Sequence, residues 1–239
     1  MSKPLRERWK EFRGALKRAL SPEALRRRWQ SREAVFTAIY RRKQWRSRES
    51  ASGIGSELVW TAAVRRALPE IIRQTGTRTL LDAACGDFHW FKEMDLDLEA
   101  YIGGDIVPEL IAENQRRYGD ARHCFRKLDL TRDPLPRVDM ILCRDCLVHL
   151  SFADIFAALG NIAASGSTYL LTTTFPRLQQ NRDIITGDWR PLNLELPPFN
   201  FPEPLLLINE GYTRGGERYA DKSLALWAVA DLPRRGEGV

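Results

Sequence analysis

Leu80-Leu81-Asp82-Ala83-Ala84-Cys85-Gly86-Asp87-Phe88 is a short apolar run that ends in an acid and passes into small residues with a single glycine. That order reads as a strand, a tight turn and the start of a helix. The pattern recurs downstream. Ala100-Tyr101-Ile102-Gly103-Gly104-Asp105 is a second run ending in Asp, residues 124–129 are a third, and residues 138–143 and 168–174 are two further runs without the final acid. Helical stretches lie between them. Residues 56–74 carry Leu58, Ala62, Val64, Leu68, Ile71 and Ile72, residues 108–118 begin with Pro108, and residues 151–164 place Ser151 as N-cap with Asp154 three residues on. Strands alternating with helices predict an α/β fold: a Rossmann-like, doubly wound, mostly parallel seven-stranded sheet. Residues 205–209 and 223–230 would form a closing hairpin.

Ligands of such sheets sit beyond the carboxyl ends of the strands, where the strand order reverses. The residues to weigh are therefore Asp82 to Asp87, Asp105, Asp129 and residues 143–149. A dinucleotide site wants several glycines, because a pyrophosphate must approach backbone N–H groups closely. Here one glycine stands between two acids, Asp82 and Asp87, which would repel phosphate and suit a cationic amino group. Asp105 ends the second run, where a carboxylate accepts both hydroxyls of a ribose. Asp129 ends the third, within reach of an exocyclic amine of adenine. An amino-acid end, a ribose and an adenine in that order describe S-adenosyl-L-methionine. Each acid alone also reads as an ordinary helix cap.

These residues resemble the class I S-adenosylmethionine-dependent methyltransferases, over roughly residues 34–230. Residues 80–88 look like the first motif of that family, Asp105 like its ribose-binding acid, Leu128-Asp129-Leu130 like its adenine-contacting segment, and residues 141–150 like its fourth strand and following loop. Two family glycines are replaced, by Ala84 and Phe88; the latter implies a differently closed turn or an aromatic wall at the methionine end. Phe36, Ile39, Tyr40, Trp45 and residues 52–56 resemble the leader of a bacterial branch with unassigned substrates. The resemblance implies that Trp45, Ser56, Asp82, Ala83, Ala84, Gly86, Asp105, Asp129, Leu130 and Arg144 hold the cofactor. Trp45 and the Gly53–Gly55 turn would form a lid, with Ser56 capping the next helix; a plain linker with a core Trp is the other reading.

Methyl transfer needs positioning, plus a base when the nucleophile carries a proton. Asp145 and His149 follow the fourth strand and are the catalytic candidates; a histidine, with an ordinary pKa of about 6.5, suits neutral pH better. Residues 176–203 are too long for a simple connection and are expected to shape the acceptor pocket, through Trp189, Arg190, Asn193 and Phe199. A proline-rich surface loop is the alternative. No metal site is expected: Cys143 and Cys146 form a lone CxxC, read as small buried residues beside a strand end.

An apolar fraction of 44% with 28% charged residues excludes a disordered chain. Apolar runs such as residues 205–208 are far short of the roughly 20 residues of a membrane span. With no secretory leader, a cytoplasmic location is expected. The net charge of +6 is unevenly placed. Residues 1–50 hold 16 basic against 5 acidic residues, so the remainder is net acidic. Leu5, Trp9, Phe12, Leu16 and Leu20 recur at helical spacing among Arg6, Lys10, Arg13 and Lys17. Residues 1–33 thus read as a basic amphipathic arm, followed by a helix-and-lid segment (34–56) and a catalytic domain (57–239). The arm, over residues 1–30, either docks on the domain or meets an anionic partner, such as a membrane surface or nucleic acid.

The expectation is an enzyme that methylates an O or N of a small-molecule, glycan-like or lipid-linked acceptor. A nucleic-acid methyltransferase that grips phosphates with the arm, and a non-catalytic S-adenosylmethionine-binding partner protein, are the alternatives.

Overall fold

A computed structural model describes Arg27, residues 29–214 and residues 216–233. Most of the expected basic arm, including Leu5, Trp9, Phe12, Leu16 and Leu20, lies outside the described residues. Among the described residues the first element is helix α1 (Arg32–Arg41), capped by Ser31, whose hydroxyl accepts from the Ala34 N–H. Helix α2 (Leu58–Thr75) follows and stops at Gly76, which takes the left-handed conformation at φ 64°. Then come strand β1 (Thr79–Ala83), strand β2 (Ala100–Asp105), helix α3 (Pro108–Tyr118), strand β3 (His123–Lys127), strand β4 (Met140–Cys143), helix α4 (Phe152–Ala164), strand β5 (Tyr169–Thr174), strand β6 (Leu206–Asn209) and strand β7 (Ser223–Ala228).

The sheet order is β3-β2-β1-β4-β5-β7-β6. Neighbours from β3 through β5 pair in parallel, while β7 runs antiparallel to both β5 and β6. The sheet is therefore mixed, with the expected hairpin as its antiparallel edge. Both faces are covered, which is why the central strands are continuous apolar runs and not alternating ones. Leu81, Ile141 and Leu170 face Ile155, Ala158 and Ile162 of α4. Leu80, Met140 and Leu142 face Val64, Leu68, Ile71 and Ile72 of α2. The chain runs outward from β1 through β3, then returns to β4 on the other side. That reversal opens a crevice between the ends of β1 and β4.

Three local expectations change. Strand β3 ends at Lys127, so Asp129 lies beyond it, in a turn where its carboxylate accepts from the N–H and hydroxyl of Thr131. Ser56 does not cap α2. Glu57 occupies that position without a side-chain bond, and the Glu49 carboxylate takes the Leu58 N–H. Ser151 does cap α4, but Asp154 does not complete a reciprocal box. Its carboxylate turns to Arg32 and Thr186, and the Ser151 N–H finds the Thr186 hydroxyl.

Arg32 anchors α1 to the domain by bridging Asp129 and Asp154, each at 3.0 Å. Since the bridge is only partly exposed yet still hydrated, Arg32→Ala is expected to lower stability by about 1 kcal/mol and to speed amide exchange in α1 selectively. Hydrogen exchange checks this; unaltered exchange in α1 would put its anchoring in Val35 and Ile39 instead.

Candidate functional site

The crevice is a cavity of about 670 Å³ at the carboxyl ends of β1, β2 and β4, roofed by the segment from Trp45 to Ser56. Two buried carboxylates stand in it. Asp82 ends β1 and accepts a hydrogen bond from the Tyr101 hydroxyl on one oxygen, at 2.9 Å. Burial, with Asp105 nearby, pushes its carboxyl up to about 8. Asp105 ends β2 and accepts the Val107 N–H on one oxygen, at 3.0 Å, and the Gly86 N–H on the other, at 3.2 Å. Burial pushes it up to about 6, against the pull of those N–H groups. Each oxygen of Asp105 keeps a lone pair for a further donor.

Ala83, Ala84 and Gly86 form the turn between these acids and line the cavity. Gly86 has φ 55°, and a Cβ on it would fall 2.0 Å from the Ser52 hydroxyl, so only glycine fits where the roof crosses. Asp87 does not face the ligand space as expected. Its carboxylate takes the Ser50 and Ser52 hydroxyls and the Ala51 N–H, at 2.9, 3.0 and 2.6 Å, clamping the roof to the turn. Trp45 packs on Gly53, where a Cβ would lie 2.7 Å from its own. Trp45 and Ser56 both line the cavity, the positions expected of a lid. Phe88 makes no wall there: it is buried in an aromatic cluster with Phe91, Tyr101, Tyr118 and Phe125. Trp90 lines the cavity instead.

Leu130 and Asp129 line the third side. Burial opposes ionisation of Asp129, but Arg32 and Thr131 outweigh it and hold its carboxyl low. Both oxygens already accept from Arg32, and one also from Thr131, which leaves this carboxylate little capacity for an adenine amine.

Beyond β4 the sequence candidates separate. Arg144 is buried; of its five N–H donors, three are taken, by both oxygens of Glu210 and the Gly55 carbonyl, while its Nη1 forms an ion pair with Asp145. Asp145 receives the Lys222 ammonium at 2.5 Å and Arg144 at 3.3 Å. Burial works against its charge, yet Lys222 and Arg144 prevail and bring it down to about 2. A carboxylate held in its ionised form by two cations is a weak proton acceptor. His149 is different. Its Nδ1 lies 2.9 Å from the Asp188 carbonyl, which can only accept, so Nδ1 carries the proton and Nε2 keeps its lone pair. Burial lowers its pKa, partly opposed by that bond and by Asp145, so the ring is neutral at pH 7. Trp45 stands beside it, ring centroids 5.7 Å apart.

The insertion corrects three further expectations. Arg190 is fully buried and donates to the carbonyls of Leu147, Leu150 and Arg182, not to a ligand; burial pushes it down to about 9. Asn193 donates to the Pro176 and Leu178 carbonyls, and Phe199 packs between Phe152 and Phe156. Only Trp189 of the four lines the cavity. The sequence reading missed Glu210 and Lys222, which sit near the closing hairpin, and Tyr212 and Tyr219 from its connecting loop. An acid just after β6 and a lysine just before β7 are the only local signal, and nothing local points them at Arg144.

No protein-family model and no curated protein sequence matches the chain. Solved structures do. The magnesium protoporphyrin IX methyltransferase of Synechocystis PCC 6803 with bound SAM aligns over 83% of this chain and 97% of its own, at 13% identity and TM-score 0.51. Human N-acetylserotonin methyltransferase in complex with SAM aligns over 82% and 66%, at 15% identity and TM-score 0.48. The alignment with the SAH-bound form of the Synechocystis enzyme covers 51% of this chain and 58% of that one, at 18% identity and TM-score 0.42. The fold is that of the class I S-adenosylmethionine-dependent methyltransferases. No helix among the described residues is long and apolar enough to cross a membrane, and none of their His, Cys, Asp and Glu side chains cluster as a metal site.

If Arg190 is structural, Arg190→Ala should cost about 3 kcal/mol, because buried carbonyls lose their donors. Urea unfolding measures this. A variant of unchanged stability but weakened acceptor binding would restore Arg190 as a ligand reader.

Proposed function

We propose that the chain binds S-adenosyl-L-methionine in this cavity and transfers its methyl group to an oxygen or nitrogen of a small acceptor. The observation that carries the reading is the pair Asp82 and Asp105, buried side by side at adjacent strand ends with acceptor capacity to spare and no phosphate-binding loop between them. Asp105 offers one free lone pair per oxygen, matching the two hydroxyls of a ribose. Asp82 has an oxygen with no partner among the described residues and a cost of ionisation that a cation would relieve, matching an ammonium. Arg144 has its Nη1, which makes no hydrogen bond among the described residues, for a carboxylate. Leu130 and its neighbours offer an apolar slot to a purine, without the carboxylate of Asp129 as its reader.

When bound, the cofactor supplies an electrophilic methyl whose C–S bond breaks with the electron pair staying on sulfur. The displaced proton of the acceptor goes to His149 Nε2. Asp188 fixes the tautomer through its carbonyl, and the roof from Trp45 to Ser56 keeps water from the reacting atoms. Lys222 and Arg144 keep Asp145 charged and weakly basic, so the proton transfer is assigned to His149.

Two outcomes follow from these protonation states. Asp82 starts protonated near neutrality and must release its proton to meet an ammonium. Cofactor binding at pH 7 should therefore release close to one proton and tighten as pH rises toward 8, above which the ligand's own α-ammonium loses its proton; calorimetry in buffers of different ionisation enthalpy reads it. Binding without proton release would mean Asp82 is already ionised. Turnover should rise with pH through a value below 6.5 and then level off, as His149 loses its proton, and His149→Gln should slow it by about 10²–10⁴-fold. A profile that His149→Gln leaves intact would remove the histidine from the reaction.

A further inference from the structure

The acceptor end of the cavity has its own composition. Trp189, 39% exposed, stands edge-on to Tyr219 at 5.0 Å and to Phe175 at 6.2 Å, and those two rings meet at 6.2 Å. This wall is tied to the base: the Asp188 carbonyl that orients His149 belongs to the residue before Trp189. Trp45 flanks the same imidazole from the roof. A flat ring presented between Trp189 and Trp45 would find aromatic surface and His149 together, and edge-to-face and offset contacts of that kind favour an aromatic guest.

Charge narrows the guest further. Asp145 is the carboxylate at this end among the described residues, and Lys222 and Arg144 already hold it. Arg214, from the loop that also carries Tyr212 and Tyr219, lines the cavity and makes no hydrogen bond or ion pair among the described residues. A cationic amine entering here would meet Arg214, Lys222 and Arg144, and the carboxylate beside them, Asp145, already carries the last two on a single oxygen. An anionic group would meet a guanidinium able to bind it through two parallel N–H bonds.

We propose that the acceptor is a hydroxylated aromatic acid, its ring against Trp189 and Tyr219, its acid group on Arg214 and its hydroxyl toward His149. The hydroxyl oxygen forms the new bond to the methyl carbon, its proton passes to His149 Nε2, sulfur keeps the electron pair of the broken C–S bond, and the products are an aryl methyl ether and the thioether. This inference rests on the methyltransferase reading above and specifies its substrate.

The test is calorimetric titration of the full chain saturated with S-adenosylhomocysteine. The probes are 4-hydroxybenzoate, 4-hydroxyphenylacetate and 3-(4-hydroxyphenyl)propanoate, each beside its neutral methyl ester and the amine of matching length. At least one acid should bind about tenfold or more tightly than its ester, a difference of about 1.4 kcal/mol, and more tightly still than its amine. Arg214→Gln should abolish that preference and leave S-adenosylhomocysteine affinity unchanged, whereas Trp189→Ala should weaken acid and ester by the same factor. Acids binding no better than esters, or amines binding best, would overturn the substrate assignment while cofactor binding stands. Failure of S-adenosylhomocysteine itself to bind would instead place the error in the methyltransferase reading.

Discussion

Arg144, Lys222, Asp145 and Glu210 meet beneath the cavity, within 2.5 to 3.3 Å of one another, and three of them are almost wholly buried. Two cations and two anions taken out of water together are tolerable only because each is paired; deleting any one strands the others without a counter-charge. The cluster joins the loop after β4 to both strands of the closing hairpin. Arg144 extends it to the Gly55 carbonyl, and Gly55 itself passes so close that a Cβ there would lie 2.8 Å from the Asp145 carboxylate. Floor, edge hairpin and roof are thus fixed to one another by a single set of charges. The cavity keeps its shape only while that set is intact.

The roof has a second fastening at the opposite end. Asp87 binds residues 50–52, and the Ser52 hydroxyl in turn accepts the Asp87 N–H. Because Asp87 sits in the turn whose neighbour Gly86 donates its N–H to Asp105, any ligand that presses on Asp105 also presses on the roof. Asn114 of α3, bonded to the Gly86 carbonyl at 2.7 Å, braces the turn from behind. The roof is coupled to the Asp105 carboxylate through the Gly86–Asp87 peptide, with one hydrogen bond on the Asp105 side and four on the roof side.

How much of this was legible in the sequence follows from which interactions are local. The central strands and the helices between them were, because periodicity and caps are written within a dozen residues; helix α3 starts at Pro108 and stops at Tyr118 as its sequence suggests. Asp82 and Asp105 were legible because a strand end fixes where its last side chains point. The misreadings are of polar or aromatic residues, most of which have at least one partner far along the chain. Arg190 looked like an anion reader, but the carbonyls it satisfies belong to the 147–150 loop and to Arg182, and no pattern encodes that meeting. Phe88 looked like a pocket wall, yet its backbone at φ 58° turns it into the aromatic cluster behind β2 and β3. Glu210 and Lys222 are the same lesson in reverse: unremarkable hairpin residues made central by the register that brings β6 and β7 together.

Asp145 and His149 show how one short loop assigns opposite roles by environment alone. Both are dehydrated, which should raise the pKa of an acid and lower that of a base. For His149 nothing reverses that tendency: its nearest polar partner is a neutral carbonyl, and the ring is left uncharged with one nitrogen open. For Asp145 two cations reverse it, both on one carboxylate oxygen, and hold the group in the ionised state. Without Lys222, Asp145 would share one guanidinium with Glu210, and its pKa would rise. The lysine at the start of the last strand therefore decides which of the two side chains can take a proton, from a position 73 residues beyond the histidine it favours.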